Sequence, residues 1–183
     1  CIGDSITNGG GKNKSSFYPV QLDSLLGDGF QVLNCGESGS TMQRDGNKPY
    51  WYQKDLNNVF VYMPDIIVIM LGTNDSKINN WNAISYERSY QSMIDTLNTM
   101  VTKPQIYLCL PPPAFSSAFS INGSTIQSGV IPIIEKISKR NNLPVIDVYN
   151  GMSKMQYLFP DGIHPNEKGI KIMSEIVAKS IKN

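Results

Sequence analysis

The chain has one histidine in 183 residues, two tryptophans, three cysteines and almost no net charge. Each shortage excludes something. Cys1, Cys35 and Cys109 are odd in number, far apart and outside any metal-ligand spacing, so neither a disulfide framework nor a zinc site is indicated. Cys35 and Cys109 close apolar runs, where buried thiols are common. A net charge of +1, with Lys and Asp/Glu interspersed, gives no broad attraction for nucleic acid or an anionic membrane. No apolar stretch is long enough to span a bilayer. Linkers, repeats and low-complexity tracts are missing too, and 40% hydrophobic content supports one domain with a sizeable core over 1–183. Cys1-Ile2 reads as the stub of a first strand truncated at the amino terminus, so a targeting segment upstream of it would not be seen.

What is present alternates. Apolar runs at 31–35, 65–71, 105–110 and 144–148 read as strands, with Cys1-Ile2 as the stub of a fifth. The run 65–71 is continuously apolar after Asp65, as suits a central parallel strand covered on both faces. Between the strands, apolar residues recur at three- and four-residue steps. Tyr86, Tyr90, Met93, Ile94, Leu97 and Val101 predict a helix over 85–101. Similar spacing predicts helices over 124–140 and 166–182, and a shorter one over 18–26 closed by Gly27. The alternation implies βαβ units, a parallel sheet with helices on both faces, and ligand binding beyond the carboxyl ends of the strands.

Four polar motifs fall at such ends. Gly3-Asp4-Ser5 follows the first stub, and Ser5 opens a helix whose positive end favours an anion; a simple helix cap is the bland alternative. Gly39, within the 34–41 turn, offers a backbone amide that no Cβ shields. Gly72-Thr-Asn74-Asp75 ends the central strand, and Asn74 offers a neutral amide donor where a carboxylate would repel an oxyanion. Asp161-Gly-Ile-His164-Pro165 precedes the last helix, with a spacing that could set the carboxylate against Nδ1 of the imidazole. Singly, an ordinary turn explains the last three as well. Jointly they supply a nucleophile, a base, an orienting carboxylate and oxyanion donors, and His164 is the only imidazole available. The run Gly9-Gly10-Gly11-Lys12 is not a phosphate loop: Ile6 stands where its first glycine belongs and Asn13 follows the lysine.

Taken together these blocks resemble the SGNH hydrolase superfamily, the GDSL esterases and lipases, over almost the whole chain. The resemblance implies a three-layer α/β/α sandwich with a five-stranded parallel sheet in the flavodoxin-like order 2-1-3-4-5. It implies Ser5 as nucleophile, His164 as base, Asp161 as third triad member, and an oxyanion hole of Ser5, Gly39 and Asn74. Such chemistry needs no metal and no organic cofactor. The runs 72–81 and 110–115 look like a subgroup acting on acetylated carbohydrate, including sialic-acid and plant-polysaccharide acetylesterases. The expected partner is therefore a small-molecule or glycan ester. Tyr50, Trp51, Trp81 and Phe115 lie between the predicted elements as a candidate aromatic rim, with packing of the loop bases as the equal alternative for each. Rival readings are a general GDSL acylhydrolase and a sugar O-acyltransferase. A non-catalytic carbohydrate-binding module is disfavoured because all five site residues are intact. The resemblance leans towards a periplasmic or secreted location and leaves the oligomeric state open.

Overall fold

A computed structural model describes residues 1–9 and 17–182; Gly10-Gly11-Lys12 of the glycine-rich run lies outside them. Five strands, β1 (Ile2–Gly3), β2 (Cys35–Gly36), β3 (Ile66–Met70), β4 (Gln105–Leu110) and β5 (Val145–Asp147), form one sheet in the order β2-β1-β3-β4-β5. All its pairings are parallel, as between β3 and β4 from Ile66↔Gln105 to Ile69↔Leu108. Because side chains alternate across a strand, the central pair feeds two cores. Ile67, Ile69, Ile106 and Leu108 face α3 (Lys54–Tyr62), α4 (Ala83–Leu97) and α6 (Ile131–Asn141). Val68, Met70, Tyr107 and Cys109 face α2 (Tyr18–Leu26), α7 (Val148–Met152) and α8 (Glu167–Lys182). The sandwich and the strand order are those expected.

Three of the expected elements differ from the sequence reading. The second strand, expected over 31–35, is the short Cys35–Gly36, with the Cys35 amide donating to the Cys1 carbonyl and the Glu37 amide to the Gly3 carbonyl, each at 2.9 Å. α4 stops at Leu97: the Thr99 hydroxyl donates to the Thr96 carbonyl at 2.7 Å, and the chain turns away. Val101, expected on the apolar face, is therefore 93% exposed. The helix expected over 124–140 runs from α5 (Gly123–Thr125) through a π turn at Ile126–Val130 into α6. That turn lies just before Pro132, which has no N–H to donate.

Order 2-1-3 reverses the direction of winding beside β1, and the crevice this opens lies above the carboxyl ends of β1 and β3. A cavity of about 420 Å³ lined by Leu22, Phe30, Val32, Tyr62, Pro64 and Ile66 lies instead at the amino ends of the strands, on the opposite rim.

Candidate active site

β1 delivers the chain at Gly3 into a one-turn helix, α1 (Ser5–Asn8). Asp4 is its cap, with Oδ1 accepting from the Ile6 amide at 2.9 Å. Capping thus falls to Asp4, and the half-buried Ser5 becomes the first helical residue. An amide at that position has no acceptor within the helix and is free to donate outward.

The Ser5 Oγ lies 2.9 Å from Nε2 of His164, across 159 residues of sequence. On the other side of the ring, Nδ1 lies 2.7 Å from Asp161 Oδ2. The Asp161 Oδ1 accepts from the Ile163 amide at 2.8 Å and the His164 amide at 2.7 Å, so one carboxylate shapes the turn and holds the ring. Gly162, between them, has φ 81°, and a Cβ there would meet Ser116 at 2.5 Å. Burial pushes the Asp161 carboxyl up, but the bonds from His164 and Ile163 outweigh it and hold the group below its usual range. An ionised acceptor on that side requires the hydrogen on Nδ1, which turns the Nε2 lone pair towards Ser5.

Gly39 and Asn74 follow β2 and β3. Gly39 has φ 82°, in the left-handed region, and its amide has no hydrogen-bond partner among the described residues. Asn74 is buried; Nδ2 donates to Asp4 Oδ2 at 3.3 Å, which leaves its second N–H free. Burial pushes the Asp4 carboxyl up to about 6, against the opposing pull of the Ile6 amide and the charge of His164.

Behind these donors lies a buried polar network that no motif announced. Asp75 accepts from the amides of Met42 at 2.9 Å and Gln43 at 2.8 Å. Gln43 Nε2 donates to the Asn80 carbonyl at 2.7 Å, and the Asn80 side chain donates to the Asn74 carbonyl at 2.9 Å. The loop after β2 is thereby stitched to the loop after β3. Burial pushes the Asp75 carboxyl up to about 7 despite its two amide donors.

The candidate rim divides. Tyr50 is fully buried, its hydroxyl donating to the Cys35 carbonyl at 2.5 Å. It is a core residue and is withdrawn from the rim, since a ring closed off from solvent cannot meet a substrate. Trp51 is partly buried, donates to the Met42 carbonyl and carries the Arg44 guanidinium 3.7 Å above its ring. Trp81 packs partly against the core, with its ring centre 5.6 Å from that of Tyr86. Phe115 is edge-on to Phe159 at 5.1 Å. The ring that touches the site is one not singled out from sequence: Phe119, 5.4 Å from His164 and T-shaped to it. Among the described residues no three His, Cys, Asp or Glu side chains converge to hold a metal ion.

The sheet order and the turns at its carboxyl ends are those of an SGNH-type hydrolase. The model of the GDSL-like lipase/acylhydrolase family matches residues 1–172, and the chain belongs to that family, whose members are carboxylic ester hydrolases. An acetylxylan esterase of Xylanibacter ruminicola is 38% identical to it, covering the whole of this chain and 42% of the relative. The chain thus spans less than half the length of that relative. Among solved structures, the inhibitor-bound aryl esterase of M. smegmatis superposes with a TM-score of 0.84 at 19% identity, covering 100% of this chain and 96% of the other. A carbohydrate acetylesterase from Sinorhizobium meliloti superposes with a TM-score of 0.81 at 17% identity, with the same coverage. At such identities the structures speak to the fold.

Proposed function

We propose that the chain hydrolyses acetyl esters carried on carbohydrate, through an acyl-enzyme on Ser5. The observation that carries this reading is the unbroken chain Ser5 Oγ, His164, Asp161, with separations of 2.9 and 2.7 Å, at the carboxyl ends of the strands. The acetylxylan esterase relative supports the choice of acyl group and alcohol.

Ser5 Oγ attacks the ester carbonyl as His164 Nε2 takes its proton, and the new C–O bond moves the carbonyl electron pair onto oxygen. That oxyanion is met by the Ser5 and Gly39 amides and the free N–H of Asn74. Asp161 stabilises the imidazolium without taking the proton. The tetrahedral centre then collapses, the alcohol leaves with the proton from His164, and acetyl remains on Ser5. Water, deprotonated by the same nitrogen, attacks the acyl carbonyl, releases acetate and returns the proton to Ser5. The test is acetate release from acetylated xylan by wild type and by Ser5→Ala. Equal release by the two, or none by the wild type, refutes the reading.

A further inference from the structure

The 115–122 loop after β4 is fastened to both halves of the site. The Phe115 amide donates to the Gly162 carbonyl at 2.8 Å, and the Ser116 hydroxyl donates to the Asp161 carbonyl at 2.7 Å. The Ala118 amide returns to Ser116 Oγ at 3.2 Å. At its far end the Asn122 amide donates to Ser76 Oγ at 3.1 Å, two residues from Asn74. Ile121 anchors the segment in a small apolar cluster with Ile126 and Ile163. A loop so tied could have tucked its aromatic tip away. Instead Phe119 is 61% exposed, and both Phe119 and Ser120 have positive φ, 56° and 63°. Two successive non-glycine residues in that region are costly, and such strain clusters where a side chain is held for a purpose.

Direction decides the purpose. In acyl transfer the carbonyl oxygen points at the oxyanion donors, while the leaving oxygen must reach the base. The group beside His164 is therefore the alcohol and not the acyl chain. Phe119 stands edge-to-face against that imidazole with most of its ring open to solvent. We propose that Phe119 is the platform for the leaving alcohol, its face stacking on the apolar C–H face of the pyranose ring that bears the acetyl group. This rests on the acetylesterase reading above and assigns it a specificity-determining residue.

The test compares wild type, Phe119→Ala, Phe119→Gly and Phe119→Tyr on acetylated xylotriose and on ethyl acetate, which has no ring to stack. Loss of one stacked ring should lower kcat/KM on the sugar ester about tenfold in the Ala and Gly variants, mostly through KM. Ethyl acetate should be cleaved within about twofold of wild type, and Phe119→Tyr should behave as wild type on both. Phe119→Gly accommodates the positive φ, so a fold defect confined to Phe119→Ala would not hide the result. An equal loss on both esters would make the ring a support for His164 and overturn the platform, as would no loss on either. If wild type cleaves ethyl acetate but not the sugar ester, the carbohydrate reading falls and the platform with it. Wild type inactive on both esters refutes the esterase reading itself.

Discussion

Replacing Asp4 by asparagine separates its two duties. As a cap, asparagine serves as well as aspartate, with its oxygen accepting from the Ile6 amide in place of Oδ1. Its amide nitrogen then occupies the place of Oδ2 and faces Asn74 Nδ2, putting two donors 3.3 Å apart. Asn74 relieves the clash by turning its amide over, which directs a carbonyl lone pair where the free N–H had been. Turnover should therefore fall roughly 10²–10³-fold, the loss of one oxyanion donor, with little change in KM. Stability moves the other way. The folded carboxyl titrates at about 6 against a reference of 3.8, so between those values the folded state binds more protons than the unfolded one. Wild type should gain stability relative to Asp4→Asn as pH falls from 7 to 4, and that gain is lost again as pH rises through 6. A gap of about two units corresponds to about 3 kcal/mol. The assays are p-nitrophenyl acetate turnover at pH 7.5 and urea unfolding of both proteins from pH 7.5 to 4. Turnover within threefold of wild type would show that Asp4 does not set the orientation of Asn74. A wild type that loses stability relative to the variant on acidification would reverse the sign and remove the burial argument.

Ser5→Ala and His164→Ala should each abolish nearly all esterase activity with the fold intact, and the double variant should be little worse than either, because the two act as a unit. Wild-type turnover in His164→Ala would end the triad reading, since no second histidine can substitute. Asn74→Ala should lower kcat roughly 10²–10³-fold, and Asn74→Asp should lower it further by setting a carboxylate against the oxyanion; wild-type activity in Asn74→Asp would remove Asn74 from the hole. Across p-nitrophenyl esters from acetate to decanoate, kcat/KM should fall with chain length. A steady climb through octanoate, at up to about 0.8 kcal/mol per buried methylene, would replace the acetylesterase reading with a general acylhydrolase.

The parts of this molecule legible in its sequence are those whose signal is local. β3 and β4 are continuous apolar runs because both faces of a central parallel strand are covered, and their spans came out almost as read. Ser5, Asn74 and His164 stand out as candidates because each lies in a short polar turn directly after an apolar run or before a helix, and because a lone histidine leaves no competitor. α3 escaped because its buried side chains, Leu56 and Val59, make a single three-residue step within nine residues, too short for periodicity to register. Tyr50 and Phe119 show the limit more sharply. Both are aromatics in loops, one after Pro49 and one after Ala118, and nothing within a few residues of either distinguishes a core ring from an exposed one. What distinguishes them is distant: a carbonyl at Cys35 that accepts from the buried Tyr50 hydroxyl, and the turn at Asp161–His164, proposed above as catalytic, that the Phe119 loop is tied to by Ser116. The same holds for Asp75, Gln43 and Asn80. Each reads as an ordinary polar turn residue, yet together they join two loops more than thirty positions apart. Chemistry in this chain is written in turns; the rigidity that chemistry needs is written in pairs of turns, and those meet only once the strand order 2-1-3 has set their ends side by side.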